Sequence, residues 1–460
     1  MQKKIKSPVA VLFGFALLCV VTSCKKDAVD DYVPLNILLE NDQIQLYEDE
    51  TLRFSIFSND TFLPEDAVLE IDPINGGVLE IQDPNQTPEN SLDDVFVFTP
   101  DGSVIGSVST TYTVCDAPNR SCATATIQIT ILQASPVAYN LEAIPYDSLS
   151  EYNFFEGNLA QLNPVHGVLP YKPINALFTD YAHKKRFVWM PRYTNALYNE
   201  DYSLFDFPVG TILIKNFFYE NVQPANTTQI IETRLLIKKA DGWEFANYVW
   251  NEAQTEATYT LDGSFVELDW VENGTARSVN YRIPGRSECL TCHKAQDNPI
   301  PIGVKPQNLN SEYAFEDGTN NQLSAWEKLG YLDSFPASIE TVANWQDTSL
   351  PIEDRVRGYV DINCAHCHTE FGHCDYRPLR LAFYENHTAE NLGVCVDPDT
   401  PLPGLGKLVE PRDPENSVLY YRINTTDEAY RMPLLGRTLI HDEGAALIEN
   451  WIQSLNQTCN

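Results

Sequence analysis

Apolar residues along this chain follow two different rhythms. Between residues 33 and 133 they alternate with polar ones in short runs, QIQLYEDETLRFSIF, VFVFTP and ATIQITIL, broken by turn-rich DPINGG and DPNQTPEN. A period of two puts every second side chain on one face, so these runs predict the strands of an antiparallel β-sandwich. The rhythm returns within 137–348 in FPVGTILIKNFFYE and TQIIETRLLIKKADGWEFANYVW. Here the dipeptides Asp241-Gly242, Asp262-Gly263 and Asn273-Gly274 mark hairpins, and the pattern reads as an antiparallel meander. Beyond residue 350 the period lengthens. In SLPIEDRVRGYVDIN, Val356, Tyr359, Val360 and Ile362 fall largely on one side of a helix starting near Ile352. HDEGAALIENWIQSL reads as an amphipathic closing helix, with Ala446, Leu447, Ile448, Trp451, Ile452 and Leu455 as its apolar positions. The chain is therefore expected to be multidomain: an all-β sandwich at 33–133, a β-rich region at 137–348 and an all-α domain at 350–460.

The first 24 residues fit none of these patterns. Lys3, Lys4 and Lys6 precede an apolar run from Val9 to Val21, followed by Val21-Thr22-Ser23-Cys24. Such a run is too short to span a bilayer and reads as an export signal. Its last four residues resemble a bacterial lipobox, which implies cleavage before Cys24 and lipidation of that residue. A plain secretory signal cleaved nearby is the alternative. No other segment is long and apolar enough to cross a membrane, so attachment is expected through lipid alone. The expected location is a periplasm-facing or cell-surface outer-membrane lipoprotein. Formal charge is −33 over 460 residues, and loss of the three leader lysines brings it to −36. That acidity argues against nucleic acid as a partner. A basic protein partner or plain solubility is compatible with it.

Two short stretches carry the chemistry. SECLTCHKAQ contains Cys289, Cys292 and His293, and INCAHCHTEF contains Cys364, Cys367 and His368, both in the pattern CxxCH. With 11 Cys and 8 His in the chain, chance accounts for roughly 0.005 such matches. In an exported protein the two thiols of this pattern attach the vinyl groups of haem as thioethers, and the histidine becomes a ligand of the iron. A dithiol redox pair would not need the histidine, and half of a zinc site is the remaining alternative. Two covalently bound haem c groups are expected, with His293 and His368 on the irons.

Five cysteines remain once Cys289, Cys292, Cys364 and Cys367 go to haem, Cys19 leaves with the leader and Cys24 takes lipid. Cys115 and Cys122 face each other across a predicted hairpin, a natural disulfide. Cys374 and Cys395 could clip the loop after the second CxxCH, leaving Cys459 free.

Residues 33–133 resemble the bacterial immunoglobulin-like, cadherin-like modules of surface proteins, through the EDE strand, the FSND turn and the closing YTVCD…C…ATIQITI hairpin. That resemblance implies a spacer or adhesion role. The order of haem-bearing helix, loop, methionine and closing helix in 350–460 is similar to a class I cytochrome c domain, and the similarity nominates Met432 as second ligand to the iron of haem 2. From about Leu149 onward, GVLPYKPINALFTDYAHKKRFVWMP, VNYRIPGRSECLTCH, PIGVKPQNLN and MPLLGRTLIHDEGAALIENWI look like a family of exported dihaem c-type cytochromes. The second ligand of haem 1 stays open among Met190, His166, His183, Lys215 or none. Lys215 corresponds to a lysine in the weakly similar P460-type β-sheet cytochromes. His366, His373, His387 and His441 are read as structural or surface residues.

Three functions follow. The first is a lipid-anchored electron carrier passing electrons to or from a redox partner protein. The second is a haem enzyme, peroxidase-like or oxidising a small substrate, with an open site at haem 1. The third is a surface binding or adhesion protein.

Overall fold

The structure is a computed structural model that describes residues 32–116, 120–296 and 298–459. The proposed leader and the proposed lipidation site Cys24 lie outside the described residues. The chain divides into two compact units, residues up to Gln133 and residues from Ala134 onward.

The first unit is a two-sheet sandwich. One sheet has the order β1-β7-β6-β3, from Asp42–Tyr47 (β1), Val68–Ile71 (β3), Gly106–Cys115 (β6) and Cys122–Leu132 (β7). The other has the order β2-β5-β4, from Leu52–Phe54 (β2), Gly77–Gln82 (β4) and Val95–Pro100 (β5). β1 runs parallel to β7, and every other pairing is antiparallel. The alternation in ATIQITIL does the work expected of it: Ala125, Ile127, Ile129 and Ile131 point inward onto Phe96, Phe98, Tyr112 and Val114.

In the second unit a short pair, β8 (Phe155–Glu156) and β9 (Asn163–Pro164), precedes the main sheet. That sheet has the order β10-β11-β12-β13-β14-β15, from Leu169–Tyr171 (β10), His183–Trp189 (β11), Ile212–Val222 (β12), Thr227–Lys239 (β13), Gly242–Trp250 (β14) and Ala257–Thr260 (β15). β16 (Ser264–Glu272) pairs with β17 (Thr275–Ile283) and touches β12 at Val222 and Trp270. One face of the central strands presents Ile212, Ile214, Leu235, Ile237, Ala246 and Tyr248 to Leu149, Tyr152 and Phe154. The opposite face mixes apolar residues with charged ones and carries the site described below. β17 leads straight into α1 (Arg286–Cys292), then β18 (Lys294–Ala295), β19 (Asn298–Pro299), α2 (Pro306–Leu309), β20 (Glu312–Phe315), β21 (Gly318–Asn321) and α3 (Gln322–Lys328).

The all-α domain expected at 350–460 is not there. The region has α4 (Ile352–Asn363), α5 (Val418–Ile423) and α6 (Asp442–Ser454), and strand exceeds helix about two to one among the described residues. From Cys364 to Asp413 the described chain forms turns and no helix or strand. Pro378, Pro398, Pro401, Pro403 and Pro411 explain part of this, since proline removes a backbone donor and blocks helix propagation. Leu379, Leu381, Leu392, Val394, Leu408 and Val409 from these turns pack against Val356, Ile448 and Trp451 of the helices. The helices are also stitched to the β-rich part of the same unit. Asn175 donates to the Gly358 carbonyl at 3.2 Å, Asn363 accepts from the Phe178 N–H at 2.9 Å, and Asp180 accepts from the Thr438 and Leu439 N–H groups at 2.7 and 2.8 Å.

Candidate functional site

The first CxxCH occupies α1 and the residue after it, at the edge of the main sheet. Glu288 shapes the turn into this helix by accepting from the Gly285 N–H at 3.0 Å and pairing with Arg282. The His293 N–H bonds the Cys289 carbonyl at 2.9 Å, which fixes the histidine against the last turn. Its ring Nδ1 lies 3.0 Å from the Ile300 carbonyl. A carbonyl can only accept, so Nδ1 carries the proton and Nε2 keeps a free lone pair. Phe245 packs against the ring at 5.1 Å. Burial, with smaller contributions from Lys215 and Arg234, pushes the His293 pKa down to about 3, so the imidazole is neutral at physiological pH. Cys289, Cys292 and His293 open onto a cavity of about 1000 Å³ counting its mouth, walled by Phe178, Arg234, Leu236, Phe245 and Leu435.

The second CxxCH caps α4. Cys364 and His368 continue its turns, with Cys364 N–H on Val360 O at 2.9 Å and His368 N–H on Cys364 O at 3.0 Å. His368 Nδ1 is buried without a hydrogen-bond partner among the described residues. Burial first, then His366 and nearby arginines, lowers the His368 pKa to about 4. A second cavity, of about 1400 Å³ counting its mouth, is lined by Cys364, Cys367, His368 and Met432. Met432 is held in this wall by its N–H on Arg422 O at 2.9 Å and by Arg437 Nε on its own carbonyl at 2.9 Å.

The two cavities adjoin, sharing Cys292, His366, Pro433 and Leu435 in their walls. Ligand atoms of Cys292, His366 and Cys367 lie within 4.8 Å of one another. The Cys367 thiol bonds to Cys292, which favours the thiolate at Cys292 and the thiol at Cys367. These three could ligate a zinc ion, but that would leave Cys289, Cys364, His293 and His368 without a role. Haem attachment uses all six motif residues and the voids beside them, so the residues present fit two haems. His366, read from sequence as structural or surface, instead stands between the cavities with a buried Nδ1 that has no partner among the described residues. Its place inside Cys364-Ala-His-Cys-His was the one signal for it.

The other candidates are elsewhere. Met190 is core, packed with Tyr171, Val188 and Phe205. His166 is exposed. His183 stacks on Phe218 at 5.5 Å and faces Glu272 at 3.6 Å. Lys215 is on the charged face of the sheet but outside the walls of both cavities. His373 is exposed at the rim of the second cavity, and His387 is exposed. His441 stacks on Phe178 at 4.1 Å and bonds Tyr359 at 3.1 Å. Cys115 and Cys122 are joined at the end of the β6–β7 hairpin. The expected Cys374–Cys395 clip is corrected: Cys395 pairs with Cys459 and Cys374 is a buried free thiol. The tail after α6 brings Cys459 to Cys395, whereas the Cys374 N–H is bonded to the Cys367 carbonyl at 2.9 Å, beside the second motif.

Comparison with known proteins bears on the first unit. Residues 33–130 match the family model for a bacterial Ig domain, and the first unit is such a domain. No curated protein matches the chain. Among solved structures, a SusE-like surface-located polysaccharide-binding protein from the Bacteroides thetaiotaomicron heparin utilisation locus is 14% identical over 54% of this chain and 33% of that one, with a TM-score of 0.16. An endo-fucoidan hydrolase from glycoside hydrolase family 107 is 11% identical over 53% of this chain and 28% of that one, also with a TM-score of 0.16. The chain thus spans about a third of the length of either, and overlap this low carries no argument about fold. No cytochrome c family model matches. With the all-α domain also absent, the class I cytochrome c resemblance and the electron-carrier reading built on it are withdrawn. No helix among the described residues is long and apolar enough to cross a membrane.

Proposed function

We propose that this chain is an exported, lipid-anchored surface binding protein, displayed through its immunoglobulin-like domain and carrying two covalently attached haems in its second unit. The surface-binding part rests on the bacterial Ig domain at 33–130, a module that supplies a spacer or an adhesive face and no chemistry of its own. Two experiments test it. Protease added to intact cells should remove residues 33–133, and Cys24→Ala should release the protein from the membrane fraction. Immobilised full-length protein should retain envelope material that a chain lacking residues 33–133 does not. Protection of the domain in intact cells, or equal retention by both chains, would exclude display for binding.

The haem part is supported by a separate observation: each CxxCH opens onto its own cavity, with the Nε2 of His293 left free by the bond of Nδ1 to Ile300. When bound, the haems supply a redox-active iron at each site. Cys289 and Cys292 would hold one, Cys364 and Cys367 the other, with Met432 placed to approach the second from the cavity wall. Protein made in a host that matures c-type haem should keep two porphyrins per chain after denaturation. The double variants C289S/C292S and C364S/C367S should each keep one. Retention of none, with one zinc per chain in its place, would assign the motif residues to a metal ion.

A further inference from the structure

The charged face of the main sheet holds a row that the haem sites do not use. Strand register sets Tyr171, Arg186, Lys215, Arg234, Asn247 and Thr260 side by side across β10 to β15. Directly paired residues project to the same face, and Lys184, two residues before Arg186, joins them there. Neighbouring strands lie about 4.8 Å apart, so Arg186, Lys215 and Arg234 form a line of three cations across adjacent strands. Arg234, Asn247 and Thr260 line the first cavity, and Lys215 and Arg186 continue the row across the next two strands, beyond its walls.

Of the four cations on this face only Arg234 has an ion pair among the described residues. Its partner, Glu232, is fully buried and also accepts from the Tyr281 hydroxyl at 2.7 Å. Arg186 is only 8% exposed, yet neither it nor Lys184 nor Lys215 has a hydrogen bond or a carboxylate in ion-pair range among the described residues. The Phe217 ring lies 4.7 Å from the Lys215 Nζ. Burial, then Arg186 and Arg234, lowers the Lys215 pKa well below its usual value. At the cavity wall both amide atoms of Asn247 are buried without a partner among the described residues, as is the Thr179 hydroxyl. Buried cations and donors left unpaired are costly, and each of these groups is a donor for the same kind of acceptor.

We propose that this row is an oxyanion site: Arg186 and Arg234, with Lys215 between them and the Asn247 amide at the outer end, bind a small oxyanion or a carboxylate. Two sources share that chemistry, a free anion entering through the first cavity or a propionate of a porphyrin held there. The site is built from the sheet alone and does not require haem attachment.

Calorimetric titration of the full-length protein with inorganic phosphate and with sodium acetate, at constant ionic strength set by sodium chloride, tests this. The haem-loaded chain and its C289S/C292S variant are titrated in parallel. One saturable site in both forms, weakened roughly tenfold or more by R186Q and by K215M, identifies a free anion as ligand. Saturation by acetate only in C289S/C292S, again lost in R186Q, identifies the porphyrin carboxylate. Absence of saturation in both forms overturns the proposal. R186Q and K215M are checked for native circular dichroism, and N247A, which removes a donor and no charge, should weaken binding by a smaller factor if the site is real. Porphyrin content is read separately, so failure of haem attachment and failure of anion binding are distinguishable.

Discussion

Single residues in this protein carry buried charges with unequal support. Asp42, at the start of β1, is buried with one carboxylate oxygen unpartnered, and burial followed by the charge of Asp60 raises its pKa to about 6. The folded chain therefore holds a proton that the unfolded chain releases near pH 4. Stability from this group is fully present below about pH 4 and is lost as pH rises through about 6. Asp42→Asn should stabilise the first unit by about 1 kcal/mol at pH 7, a value discounted for solvent screening, and by nothing near pH 3.5. Thermal unfolding at the two pH values checks this, and an equal gain at both would contradict it. Glu232 is the converse case, a fully buried carboxylate whose partner Arg234 is half-buried at the wall of the first cavity. Glu232→Gln should cost about 3–5 kcal/mol by leaving that guanidinium uncompensated, and E232Q/R234M should recover most of the loss. If the double variant is no more stable than E232Q in urea unfolding, the cost lies in Glu232 and Tyr281 alone.

Elements of the second unit meet through close backbone approaches as well as through apolar faces. A Cβ added at Gly358 in α4 would collide with the Ala343 carbonyl, which belongs to backbone and cannot rotate away, and would crowd the Asn175 amide at 3.0 Å. Gly358→Ala should therefore destabilise the unit by about 1–3 kcal/mol although alanine is the better helix former. A higher melting temperature for G358A would mean that α4 is held by its apolar face alone. The two helices that the periodicity predicts, α4 and α6, exist close to where Ile352 and the HDEG stretch place them. Their surroundings were not legible, because periodicity reports which face is buried and not what buries it. The segment between them carries core residues such as Leu381 and Val409 in turns without any period.

For the whole molecule the relevant fact is its division into two units, each with its own core. Calorimetry should resolve two transitions. The Cys395–Cys459 bridge closes a separation of 64 residues in the second unit, so Cys459→Ser should lower the stability of that unit by up to about 4 kcal/mol. The transition of the first unit should not move, and a shift in both would show that they unfold together. Cys115–Cys122 spans only 7 residues and has far less unfolded-chain entropy to remove.

Sequence by itself determined the strands of the first unit and the six residues of the two CxxCH motifs, because these depend on local periodicity and fixed spacing. Tertiary structure decided the rest. That Cys459 reaches Cys395, that His366 stands between two cavities, and that Arg186, Lys215 and Arg234 form one line all depend on chain path and strand register. Neighbours in space that are far apart in sequence leave no periodic trace, and a slip of one residue in β11 or β13 would have turned the arginine of that strand to the opposite face.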